Sequence, residues 1–160
     1  MKKPFRRALF VLFLAVGCYS RSQAASWQTF PVDDSLTFVE APGPQLRWKS
    51  PATGRIDRHT LEATASVRVV LNVQRWIGTP ARIFMVMPRQ HHSGIAVRWT
   101  TTGLLLSGAL ASGERRLVFE GAIPSLGIED RLALLITTDA RGHGSATRTA
   151  FSFEIEVEGK

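Results

Sequence analysis

Residues 151–159 read FSFEIEVEG. Phe151, Phe153, Ile155 and Val157 alternate with Ser152, Glu154, Glu156 and Glu158. A period of two places the apolar set on one face of a β-strand and the carboxylates on the other. The same period recurs upstream. Val67, Val69, Leu71 and Val73 alternate with Arg68, Val70, Asn72 and Gln74, and "IAVRWT" puts Ile95, Val97 and Trp99 on one face. "RRLVFE" offers Leu117 and Phe119, and "RLALLITTD" supplies another strand. "ARIFMVMP" is apolar on both parities, which predicts a central strand covered on both faces and ended by Pro88. "SLTFVE", "PQLRWK" and the Gly-bounded "GLLLSG" are shorter candidates, and Pro42, Pro44 and Pro51 predict a looser connection between the first of them.

Turn chemistry divides these runs at Gly78-Thr79-Pro80, Ser93-Gly94, Thr102-Gly103, Ser112-Gly113 and Gly142-His143-Gly144. Short strands between such turns predict an all-β fold, a single antiparallel β-sandwich of the immunoglobulin-like kind with about seven or eight strands. The expected core is Val67, Val69, Leu71, Met85, Val97, Trp99, Phe119, Leu134, Phe153 and Ile155. In "SLGIEDRLALLI" a turn is expected over Gly127 to Asp130, followed by a strand.

The first 24 residues have a different character. Lys2, Lys3, Arg6 and Arg7 precede the apolar run Ala8 to Gly17, and Ser22-Gln23-Ala24 offers a small-x-small cleavage site. This is the layout of a secretory signal peptide, and the run is shorter than the roughly 20 apolar residues that span a bilayer. The expected organisation is therefore a cleaved signal peptide at 1–24 and one β-sandwich domain at 25–160. A competing site exists, because Leu14-Ala15-Val16-Gly17-Cys18 resembles a bacterial lipobox, with Ala15 where that pattern has leucine. Lipidation at Cys18 would make the protein an outer-membrane lipoprotein. Cleavage after Ala24 would leave it periplasmic or secreted, with membrane contact expected only in the lipidated case.

Removing 1–24 changes the charge. The whole chain carries +7, the first 24 residues contribute +5 from five cations and no acid, and +2 remains. Those remaining arginines are scattered, so a nucleic-acid partner is not expected, since phosphate binding needs clustered cations. Cys18 is the single cysteine, so thiol catalysis and Cys-ligated zinc have no residues in the mature domain.

No constellation for catalysis is legible. There is no G-x-S-x-G elbow, and the pairs Asp33-Asp34 and Glu129-Asp130 are sequence neighbours that read as turn and cap residues. His91, His92 and His143 fall in loops and His59 lies in "RIDRHT", without HxH or HxxxH spacing, so no metal and no cofactor are expected. Trp27, Trp48 and Trp76 would suit a carbohydrate face if they shared one, whereas Trp99 falls on core parity. The alternating ending resembles that of chaperone–usher pilins over this segment, with Thr147 and Gly159 where that family has a glycine and an aromatic. The resemblance implies a strand that pairs with another subunit. The residues themselves favour an internal closing strand whose glutamates face water or arginines such as Arg68, Arg98 or Arg116. Taken together, the sequence predicts a non-enzymatic cell-envelope protein acting through protein–protein contact or self-assembly, such as a fimbrial component or assembly accessory. The alternative is a small periplasmic module for carbohydrate or metal.

Overall fold

The computed structural model describes residues 26–49, 59–89, 94–124, 127–139 and 151–159. The signal segment 1–24 with its candidate sites at Cys18 and Ala24, His91, His92, His143 and the Gly142–Gly144 turn lie outside the described residues. Ten strands form in chain order: β1 Trp27–Pro31, β2 Phe38–Val39, β3 Arg47–Trp48, β4 Thr60–Asn72, β5 Pro80–Val86, β6 Ala96–Thr101, β7 Gly108–Ala111, β8 Arg115–Ala122, β9 Gly127–Asp139 and β10 Ser152–Glu158. A 3-10 turn at Gln74–Trp76 joins β4 to β5, and the described residues include no α-helix.

The strands make two antiparallel sheets, the layout of a β-sandwich. One sheet has the order β1-β10-β5-β8. The other runs β2-β4-β9-β6-β7, with β3 also pairing to β4. Alternation explains the core between them. On β4, Val67, Val69 and Leu71 point inward while Arg68 and Asn72 point out, and on β10 Phe153, Ile155 and Val157 do the same. All ten residues expected in the core are buried in one cluster fed by both sheets. Each contributes on the order of 1.5–3 kcal/mol of burial before chain entropy is subtracted.

β10 is an internal strand. It pairs with β1 from Trp27↔Glu158 to Pro31↔Glu154 and with β5 from Ser152↔Val86 to Val157↔Ala81. Its glutamates meet a different arginine from those expected, because Arg115 Nε lies 3.2 Å from Glu154 and Nη2 2.9 Å from Glu156.

Several expectations are corrected. Among the described residues there are ten strands rather than seven or eight, since the 36–48 segment yields two very short ones and β1 has weak alternation. "GLLLSG" is a connection, with Leu105 buried and Leu104 and Leu106 exposed. β5 is central, yet its outer residues Phe84 and Val86 are only half-buried, with the Arg115 guanidinium lying 3.5 Å from the centroid of the Phe84 ring. Residues 127–130 begin β9 rather than forming a turn. Glu129 and Asp130 therefore point to opposite faces, and the buried Asp130 carboxylate accepts the Leu105 N–H at 2.9 Å. The β5–β8 pairing slips between Ile83↔Phe119 and Phe84↔Leu117, so that Val118 and Phe119 of β8 are both buried. The Val118 carbonyl then accepts the Leu106 N–H at 2.7 Å and ties the two sheets together at that side.

Candidate functional site

The segment between β2 and β3 decides the shape of one sheet edge. β2 pairs with β4 at Phe38↔Arg68 and Val39↔Val67, and β3 pairs at Arg47↔Glu62 and Trp48↔Leu61. The Glu40 N–H still reaches the Ser66 carbonyl at 2.8 Å. Six residues, 41–46, then span only the three β4 positions 63–65. Their sequence is APGPQL, and its two prolines lack the N–H needed to continue a ladder. The segment consequently stands off as an arch.

Beneath the arch is a groove of about 670 Å³ on the outward face of the sheet. Its floor is built in two rungs. Ser66, Ala133 and Thr100 align across β4, β9 and β6, and Thr64, Leu135 and Arg98 align beside them. The first rung is made of small side chains, so the sheet surface dips there between taller neighbours. Ala41, Pro42, Gly43 and Gln45 form the roof, and Glu40 and Arg47 belong to the lining. A smaller depression of about 340 Å³ adjoins it and shares Arg47, Thr64 and Leu135, with Trp48 added.

A polar clasp anchors the arch at Glu40. The Ser66 hydroxyl donates to Glu40 Oε2 at 2.5 Å, and Arg131 Nε and Nη2 lie 3.0 and 2.9 Å from Oε1. The Ser66 hydrogen bond, more than the Arg131 hydrogen bond and the charges of Arg131 and Arg68, holds the Glu40 carboxyl below its ordinary value, against an upward push from burial. Arg68 is paired in turn with Glu129, donating from Nε at 2.7 Å. Thus Arg68 and Arg131, which sit directly opposite in register, are each neutralised by a carboxylate.

Arg47 and Arg98 differ. Among the described residues neither has an ion pair, and both are exposed at the groove. The groove thus presents two guanidinium groups that have no ion pair among the described residues, beside hydroxyls and short aliphatic chains. This set can take up an anionic group flanked by apolar matter, because guanidinium forks match carboxylate geometry. Nothing in the sequence marks this pair, since Arg47 and Arg98 lie on different strands that only register brings to one groove.

The flank next to the groove is apolar. Leu36, Phe38, Val39, Leu46 and Trp48 are between 45% and 70% exposed. Five large apolar side chains within thirteen residues form a concentration seen nowhere else on the described surface, where the other exposed examples are Trp27, Ile77, Leu104 and Leu106.

The other sequence candidates are dispersed. Trp76 is buried, with its ring 6.1 Å from that of Phe30 and the Arg75 guanidinium 4.8 Å from its centroid. Trp27 lies on β1 in the opposite sheet with Arg82 stacked at 4.4 Å, and Trp48 is on β3, so the three tryptophans share no face. Trp99 is core, as its parity predicts, and its indole N–H donates to the Leu106 carbonyl at 2.8 Å. Asp33 does serve a turn, accepting the Ser35 N–H at 3.1 Å, whereas burial pushes the Asp34 carboxyl up. Among the described residues no three His, Cys, Asp or Glu side chains gather as a metal site. Comparison with protein families, with characterised proteins and with solved structures returns no match.

Proposed function

We propose that this is an exported cell-envelope protein that works through protein–protein contact, as a component or assembly accessory of a fimbrial or other surface structure. The observation that carries this reading is the β2–β3 edge of the sheet, along which Leu36, Phe38, Val39, Leu46 and Trp48 are each at least 45% exposed. Concentrated apolar surface of this kind marks contact sites on folded domains, and single scattered residues do not. The internal position of β10 supports contact through this flank rather than through a donated terminal strand. Export rests on the signal-peptide layout of residues 1–24, and membrane attachment would follow only from lipidation at Cys18. The immunoglobulin-like assignment belongs to the same reading, supported by two antiparallel sheets and the buried Trp99 on β6.

Site-specific photocrosslinking in the producing cell tests it. Benzoylphenylalanine at positions 38 and 48 should yield a discrete adduct with an envelope protein or a second copy. The same label at 120, on the outer face of the other sheet, should yield none. Equal labelling from all three positions would overturn the assignment of the contact to this flank. The alternative, a small-ligand module, is favoured only by the groove itself; the separation of the tryptophans removes the feature that would direct it to neutral carbohydrate.

A further inference from the structure

We infer that the groove beneath the arch is a receptor for an acidic peptide segment of the partner protein, with Arg47 and Arg98 reading its carboxylates. The inference rests on the protein-contact reading and names the chemistry of what is contacted. Charge is the first argument. Of the four arginines on the outward face of β3, β4, β6 and β9, two have their carboxylates within the domain, Arg68 with Glu129 and Arg131 with Glu40. Arg47 and Arg98 have none among the described residues. Guanidinium groups left over beside a concave surface are complementary to an anion brought from outside.

The lining decides which class of anion. Ala41, Pro42, Ala133 and Leu135 supply aliphatic surface between the two arginines and the hydroxyls of Thr64, Ser66 and Thr100. A sugar acid would need ring faces to stack on, and the floor offers none. The one aromatic residue that borders the groove, Trp99, turns its ring into the core, where it is 1% exposed. A chain of alternating acidic and apolar side chains fits both halves of the lining. The volume of about 670 Å³ suits a few residues of peptide. The adjoining depression lined by Arg47, Trp48 and Leu135 extends the same mixed basic and apolar surface toward β3.

The chain's own remaining segments do not supply the ligand. Residues 50–58 carry Arg55, Asp57 and Arg58, and residues 140–150 carry Arg141 and Arg148 with no acid. Both are net basic, which makes them poor matches to an acidic ligand.

Selection from a dodecapeptide display library that is unbiased in charge provides the test. The wild-type protein should enrich peptides with two or more Asp or Glu among apolar residues. Arg47→Glu/Arg98→Glu should lose those binders by at least tenfold and enrich Lys- or Arg-containing peptides instead. NMR shift mapping with an enriched wild-type peptide should place it at Thr64, Ser66, Arg98 and Ala133. No enrichment, enrichment indifferent to the charge reversal, or shifts confined elsewhere would overturn the proposal. So would tighter binding of a galacturonate oligomer than of any selected peptide, with the same dependence on the two arginines. Phe38→Ser/Val39→Ser, at two exposed β2 residues outside the groove lining, separates this result from the broader reading. It should abolish the photocrosslinked partner from a label at position 36 while leaving peptide binding to the groove within twofold. If crosslinking succeeds in the wild type and peptide selection fails, the flank stands and the groove assignment falls.

Discussion

Gly103 stands against the carboxyl group of Asp130. A methyl group at Gly103 would lie 2.5 Å from Asp130 Cγ and Oδ1 and 2.6 Å from Oδ2. The carboxylate is itself fixed, because Oδ2 accepts the Leu105 N–H at 2.9 Å and Oδ1 accepts the Arg131 N–H at 2.7 Å. An acid in the core layer of β9 thus holds the β6–β7 connection against the sheet and drives Leu105 into the core.

Gly103→Ala should therefore cost about 1–3 kcal/mol through overpacking. Asp130→Ala should cost a similar ~1–3 kcal/mol, because it leaves the buried Leu105 N–H without an acceptor. In the double variant the clash is gone, so the two costs should fall short of additivity. Urea denaturation of the four proteins measures this, provided the m-value is unchanged. Full additivity would show that the contact is not shared.

The closing strand gives a second prediction. Phe153 is 1% exposed and Ile155 is fully buried, with β1 and β5 on either side. Phe153→Ala should cost about 3–5 kcal/mol, as aromatic truncations in cores do. Glu156→Ala removes one partly exposed ion pair with Arg115 and should cost about 0–1 kcal/mol. Deleting residues 150–160 should give an unfolded or aggregating protein, since β1 loses its partner and the flank of β5 is bared. A truncated domain that melts cooperatively would mean β10 is dispensable to the fold.

Arg115 links three side chains on the outer face of this sheet. It bridges Glu154 and Glu156 and lies over the Phe84 ring. Arg115→Lys keeps the charge but not the planar fork or the stacking surface, and should cost about 1 kcal/mol. Raising salt to 1 M should narrow the gap between the two proteins, because only the ionic part is screened. A gap that widens with salt would contradict the ion-pair account.

These three sites also mark where the sequence was legible. Strict alternation in "SVRVVLNV", "IAVRWT" and "FSFEIEVE" states which side chains are buried, because a two-sheet core accepts one face of each strand. The places misread are those set by residues distant in sequence. "GIED" looks like a turn because it is short and charged, and the Leu105 N–H, 25 residues away, joins the adjacent Arg131 N–H in making a buried Asp130 tolerable. "RRLVFE" conceals a bulge, so counting parity selects Arg116 as the partner of the glutamates where register selects Arg115. The groove was invisible for the same reason. Arg47, Thr64, Arg98 and Ala133 come from four strands, and pairing alone makes them neighbours.

The arch should respond to acid through Glu40. Its carboxyl is held low by the Ser66 hydroxyl and by Arg131, so its folded value lies below the roughly 4.3 of an unfolded glutamate. In the interval between these values the unfolded chain binds more protons, and stability rises with pH. The clasp is therefore fully present above about pH 4.3 and is lost as pH falls through the folded value. Asp34 acts in the opposite direction. Its raised value favours the protonated folded form, so its contribution is present below the unfolded aspartate value and is lost as pH rises through the folded one. In an Asp34→Asn background, Glu40→Gln should flatten the acid limb of the stability curve and accelerate amide exchange at Glu40 at neutral pH. A ¹³C titration of the Glu40 carboxyl decides the sign directly, since a midpoint at or above the ordinary glutamate range would show that Ser66 and Arg131 do not hold it ionised.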